Sequence, residues 1–106
     1  MPDPARRITV QTSARVQLVD ISDDVRAAVR AERLVNGLIY LWSMHTTCGL
    51  TVNEGADPDV ARDMVVALAE IAPRDNHYRH AEGNSDSHVK TSLFGPGLTL
   101  IVETGE

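Results

Sequence analysis

Three histidines carry the first chemical signal in this chain. His45 ends an apolar run, His80 lies in a polar loop and His88 opens a later alternating segment. Imidazole ligates metals and moves protons near neutral pH. Three imidazoles on one zinc ion leave a fourth position open, the pattern of a catalytic rather than a structural site. An ion so held polarises a phosphoryl oxygen or acidifies water. Glu54 would then act as general base or orient a ligating histidine, and Lys90 would hold a phosphate as a point charge. Each residue has an ordinary explanation beside the chemical one. His45 fits a satisfied histidine at a strand end, His80 an exposed loop residue, His88 a solvent-facing strand start and Glu54 the cap of a turn before Asp57. No two of these histidines make the short pairs of zinc motifs, so spacing alone does not choose between the explanations. Cys48 reads as packing, because free cysteine is often a small apolar residue, and His77 reads as surface.

The elements around these residues follow from period and turn chemistry. Ile8, Val10, Thr12, Ala14, Val16 and Leu18 alternate with polar residues, which predicts a half-buried antiparallel strand, or two joined near Ser13. Ser22 has the form of a helix N-cap, with Asp23 and Asp24 in the first turn and Val25, Ala28, Val29 and Leu34 as the buried stripe. Asn36-Gly37 is a turn. Leu38 to Met44, the most apolar run, predicts a buried strand that delivers His45 and Thr46. Leu50 to Val52 would be a short strand.

Asp57-Pro58 starts a second helix, expected to run to about Ile71 and stop near Pro73, with Val60, Met64, Ala67, Leu68 and Ile71 buried. Pro73 to Ser87 has no period, and a loop this long in a small domain is usually functional or disordered. From His88 the alternation of Val89, Thr91 and Leu93 predicts a strand, then Gly95-Pro96-Gly97 a turn, then Leu98, Leu100 and Val102 another strand. Thr104-Gly105-Glu106 reads as a turn.

The 106 residues suit one domain, residues 1–106, with a core that needs no disulfide. Fifteen acidic against ten basic residues argue against a sequence-independent nucleic-acid binder, which needs a basic face. A small anionic substrate remains compatible. One cysteine excludes an intrachain disulfide. No signal peptide opens the chain and no apolar run reaches membrane-span length, so a cytoplasmic protein without a membrane partner is expected.

Two long stretches then carry a resemblance. One runs from His45 through Thr46, Thr47, Cys48 and Gly49 to Asn53-Glu54 and on through Ala56-Asp57-Pro58. The other runs from Tyr78-Arg79-His80 through Asn84, His88 and Lys90 to Gly95-Pro96. Together they closely resemble the signature of the YjbQ (UPF0047) family, and Asp20-Ile21-Ser22 extends the likeness over nearly the whole chain. The resemblance implies an α+β fold: an antiparallel β-sandwich with two flanking helices, in the order β2-α-β2-α-β2 here, because relatives carry a further hairpin with a Trp-Gln pair beyond the position of Glu106. It implies a homotrimer. It implies His45, His80 and His88 as ligands of a divalent ion, zinc by preference, with His45 and Glu54 in the chemistry and Thr46, Asn84 and Lys90 on the substrate. The family's label of secondary thiamine-phosphate synthase implies a metal-assisted transferase acting on a phosphorylated small molecule. The alternative from the same residues is a non-catalytic metal- or anion-binding module.

Overall fold

Local capping and end signals decide the first helix. A computed structural model describes residues 6–53, 57–74, 78–79 and 84–106. Helix α1 spans Ser22–Ala31. Ser22 is its first helical residue rather than its cap; its N–H donates to the Asp20 carboxylate at 2.9 Å. Hydrogen bonds from Ser22 hold the Asp20 carboxyl below its ordinary pKa. A depressed carboxylate stabilises the fold above its ordinary pKa, and this contribution is lost only as pH falls through the lowered value. Val29 is the buried anchor of the helix. The helix ends in a Schellman arrangement: Arg33 N–H donates to the Arg30 carbonyl, Leu34 N–H donates to the Val29 carbonyl, and Arg33 takes φ 56° where glycine is usual.

Strand β1 spans Gly37–Trp42 and β2 spans Gly97–Val102; they form a two-stranded sheet. Ser43 N–H donates to the Pro96 carbonyl at one end, and Gly105 N–H donates to the Val35 carbonyl at the other, so the pair is antiparallel. The apolar run from Leu38 does form a strand, but it is covered on one side only. Gly37, Ile39 and Leu41 are half-buried, while Leu38, Tyr40 and Trp42 are exposed. After β2, Glu103 and Glu106 exchange both backbone hydrogen bonds across Thr104 (φ 53°) and Gly105 (φ 80°). Positive φ at both central residues is the signature of a type I′ hairpin turn, as the Thr-Gly pair suggests.

Helix α2 spans Pro58–Ile71, with Asp57 capping through its carboxylate to Asp59 N–H and Pro58 at the first position. Leu68 and Ala72 are buried, and Val60, Ala61, Met64 and Val65 are half-buried. The expected stripe through Ala67 and Ile71 is corrected: both are exposed, so the helix is turned toward the Ala61–Val65 side.

Two further expectations are corrected. Residues 85–94 are not a strand from His88 but a third helix, α3, spanning Ser85–Phe94. Six alternating residues were too few to outweigh an acidic first turn at Asp86, an i,i+4 pair of Asp86 with Lys90, and Gly95 at φ 86° as a stop. The Ile8–Leu18 and Leu50–Val52 stretches are also not strands among the described residues. A strand needs a neighbour to take its backbone groups; near Ser13 the chain instead closes a local loop in which Ser13 N–H donates to Gln17 Oε1.

The fold is thus α+β, with three helices and one antiparallel pair among the described residues. The chain divides into two compact units. One holds the described residues up to Ile39 with Leu100–Glu106, and its buried apolar residues are Val29 and Val102. The other is Tyr40–Thr99, with Leu68 and Ala72 buried. No helix among the described residues is long and apolar enough to cross a membrane.

Candidate functional site

Within the second unit, the turn after β1 is fastened to the junction of α3 and β2. Ser43 N–H donates to the Pro96 carbonyl at 2.7 Å, and Leu50 N–H donates to the Gly95 carbonyl at 3.0 Å. Between these bonds Gly49 presses against α3; a Cβ there would stand 3.0 Å from Phe94 Cβ and 3.4 Å from the Thr91 and Gly95 carbonyl oxygens. A side chain there would force its neighbours to give by a few tenths of an ångström. The intervening turn closes when Cys48 N–H donates to the His45 carbonyl at 3.3 Å, and His45 N–H donates to Ser43 Oγ at 3.3 Å.

This stapling makes an open hollow of about 560 Å³ at the end of β1. Trp42, Met44 and Pro96 supply apolar wall; Ser43, His45, Thr46, Thr91 and Ser92 supply hydroxyls and an imidazole. The volume is in the range of small-molecule sites. His45 and Thr46, expected at a site, both line it and are exposed. His88 lies on α3 three residues before Thr91 and four before Ser92, hence on the same side of the helix one turn away. Ser92 Oγ donates to the His88 carbonyl at 2.9 Å.

The remaining expected residues stand differently. Lys90 is buried, and its ammonium is 3.0 Å from Asp86 Oδ2. Asn84 sits at the N-cap position of α3 with its Oδ1 buried and without a hydrogen-bond partner among the described residues. Glu54 and His80 lie outside the described residues, as does His77. As ligands, His45 and His88 suit an imidazole-preferring ion such as zinc, and they belong to the two elements stapled around one hollow. Among the described residues no three of His, Cys, Asp and Glu are grouped to hold a metal. Cys48 is exposed rather than packed.

Sequence reasoning missed Trp42, Met44, Thr91 and Ser92 as lining residues and Asp86 as the partner of Lys90. The i,i+4 spacing of Asp86 and Lys90 was a signal, but it means contact only in a helix, and the alternation of the same residues argued for a strand.

Comparison with known proteins matches this arrangement to one family. The family model described as UPF0047 protein YjbQ-like matches residues 6–106. A UPF0047 protein of Methanocaldococcus jannaschii is 37% identical over 97 residues, covering 92% of this chain and 70% of that protein. The UPF0047 protein YugU of Bacillus subtilis is 36% identical over 101 residues, covering 94% and 76%. Among solved structures, an uncharacterised YjbQ/UPF0047-family protein of Clostridium acetobutylicum superposes with a TM-score of 0.88 at 41% identity, over 92% of this chain and 75% of that one. A conserved hypothetical protein of Thermus thermophilus gives 0.78 at 49% identity, over 85% and 70%. The chain therefore belongs to the UPF0047, YjbQ-like family.

Proposed function

We propose that the hollow at the end of β1 binds a phosphorylated small molecule and that the protein is a metal-assisted transferase acting on it, with thiamine-phosphate synthase activity as the specific form. The observation that carries this reading is the sharing of one hollow by His45 and Thr46 with Thr91 and Ser92, with His88 one turn away on the same helix. His45, His80 and His88 would hold the divalent ion, zinc by preference. When bound, such an ion supplies a Lewis acid for a phosphoryl oxygen. The Thr46 hydroxyl and the Asn84 amide would hold the phosphate. Lys90, assigned to the phosphate on sequence grounds, has Asp86 as its partner and is left out of that role. Glu54 would move the proton or orient a ligating histidine, with His45 beside it in the chemistry.

The same reading includes a cytoplasmic homotrimer in which a β-sandwich is completed. Exposed Tyr40 and Trp42 on one face of β1 support an added layer there. The openness of the hollow, with Trp42, Met44, His45 and Thr46 all exposed, favours a second reading as a non-catalytic metal- or anion-binding module, because nothing described in the single chain excludes water from it.

Glu54→Gln separates the two. It keeps shape and an acceptor oxygen but cannot take a proton. In an enzyme, the metal-replete variant stays folded and loses about 10²–10⁴-fold in turnover. Unchanged turnover in a variant shown by metal analysis to be loaded would leave the binding module as the reading.

A further inference from the structure

Trp42 is the only tryptophan of the chain and is 69% exposed. Its indole is nevertheless seated. Ser43 N–H donates to the Pro96 carbonyl, so in the antiparallel register Trp42 stands directly across from Gly97 on β2. A Cβ on Gly97 would lie 3.1 Å from Trp42 Cε3 and 3.2 Å from Cζ3. The six-membered ring of the indole therefore occupies the place where a side chain of residue 97 would stand. Gly95 needs its positive φ of 86°, but Gly97 has no positive φ, so the backbone does not demand glycine there. What the missing side chain provides is the seat for the indole. Tyr40 is exposed on the same face of β1 but does not line the hollow, whereas Trp42 and Met44 do.

We propose that Trp42 is a stacking platform and the specificity-determining residue of the hollow, so that its ligand is a phosphorylated molecule carrying a flat heteroaromatic ring. This rests on the reading of the hollow as a phosphate-ester site and adds what holds the other end of the ligand. A seated indole has already given up its rotamer freedom, so a ring laid on its open surface meets no ordering cost from that side chain. Offset stacking of two rings adds attraction beyond buried area, which an aliphatic group on the same wall does not gain. The hydroxyls mark the polar end. Ser43 Oγ donates to the His45 carbonyl at 3.2 Å and Ser92 Oγ to the His88 carbonyl at 2.9 Å, so both serine protons are committed to the backbone. The Thr46 and Thr91 hydroxyls line the same hollow and have no such acceptor among the described residues, which leaves them to donate to a phosphate. A hollow of about 560 Å³ has room for a ring and a phosphate together.

Because Trp42 is the sole indole, tryptophan fluorescence reports on this surface alone. The full chain is titrated with AMP and UMP, with ribose 5-phosphate, which lacks the ring, and with adenosine and uridine, which lack the phosphate. AMP or UMP is expected to quench the fluorescence and, by calorimetry, to bind about 10–100-fold more tightly than ribose 5-phosphate. Trp42→Leu is expected to lose that preference and to bind ribose 5-phosphate as before, while Trp42→Phe keeps a ring and most of the preference. Gly97→Ala retains Trp42 but unseats it, and is expected to weaken the nucleotide in the same direction. Equal affinity for the nucleotides and ribose 5-phosphate overturns the platform and leaves the phosphate reading standing. Nucleosides that quench and bind as tightly as nucleotides sustain the platform and remove the phosphate, so the two readings fail separately. Binding by none of the five overturns the platform. Light scattering accompanies each variant: a loss in Trp42→Leu that comes with a shift in mass toward the monomer, and without any loss in Gly97→Ala, assigns Trp42 to a subunit contact and overturns it as well. If Trp42→Leu does not fold, Gly97→Ala decides, and unchanged nucleotide affinity there is the overturning result.

Discussion

The Lys90 ammonium and the Asp86 carboxylate illustrate how a partner four residues away changes what a side chain can do. In isolation Lys90 is a phosphate-binding charge. In α3 it neutralises a carboxylate that has no contact with solvent. Lys90→Met should therefore act on stability before it acts on binding. Breaking a buried pair by removing one partner costs on the order of 3–5 kcal/mol, because the remaining charge loses that counter-ion. Urea unfolding should show this loss, and binding of inorganic phosphate by the protein that remains folded should change little. A variant of unchanged stability that has lost phosphate binding would return Lys90 to the ligand. His45 makes the opposite case: its side chain is exposed in the hollow wall, so truncating it should change ligand binding and leave stability nearly alone. The measurement is His45→Ala, read by urea unfolding and by zinc competition on the same sample.

Among the elements, the turn from Ser43 to Leu50 owes its position to a missing side chain. Gly49 lies where a Cβ would meet Phe94 and two carbonyl oxygens. Gly49→Ala is expected to cost about 1–3 kcal/mol, the range of overpacking in a tight site. The Leu50–Gly95 and Ser43–Pro96 hydrogen bonds flank the clash, so hydrogen exchange at Ser43 and Leu50 should speed up together. Exchange unchanged at both positions would mean that the staple is looser than its geometry implies. Helix α3 was legible only in part. Its ends are marked by Asp86 in the first turn and by Gly95, yet Val89, Thr91 and Leu93 also satisfy a strand's alternation. Helix α2 was legible almost throughout, because Asp57-Pro58 and Pro73 are local start and stop signals that do not depend on distant packing.

The described residues include few buried apolar side chains and many large exposed ones. Val29, Leu68, Ala72 and Val102 are the buried apolar residues among those described, while Tyr40, Trp42 and Met44 are exposed in sequence along and just beyond β1. Monomeric proteins rarely leave contiguous apolar surface of this kind open. Light scattering is expected to give the mass of a trimer, and Tyr40→Lys with Trp42→Lys to shift it toward the monomer. A clean monomer across working concentrations in the unaltered protein would remove the trimer from the proposal.

What the sequence determined by itself lies in its short-range signals. The Asp57 cap, proline at the start of α2, the Thr104-Gly105 turn and the apolar run of β1 depend on neighbours within a few residues, and each is found where those neighbours point, whereas the cap expected at Ser22 is displaced by one residue. The long paired motifs identified the family in the same way, as a string of residue types. Tertiary structure decided the rest. Whether Ile8–Leu18 is a strand depends on a partner for its backbone groups, which its own alternation cannot supply. Which face of β1 is covered depends on what packs over it. The hollow exists because residues 43–50 meet residues 91–96, distant in sequence and joined through Gly49, Gly95 and Pro96. Closing that distance costs chain entropy that only the packed unit offsets, so no local pattern announces it.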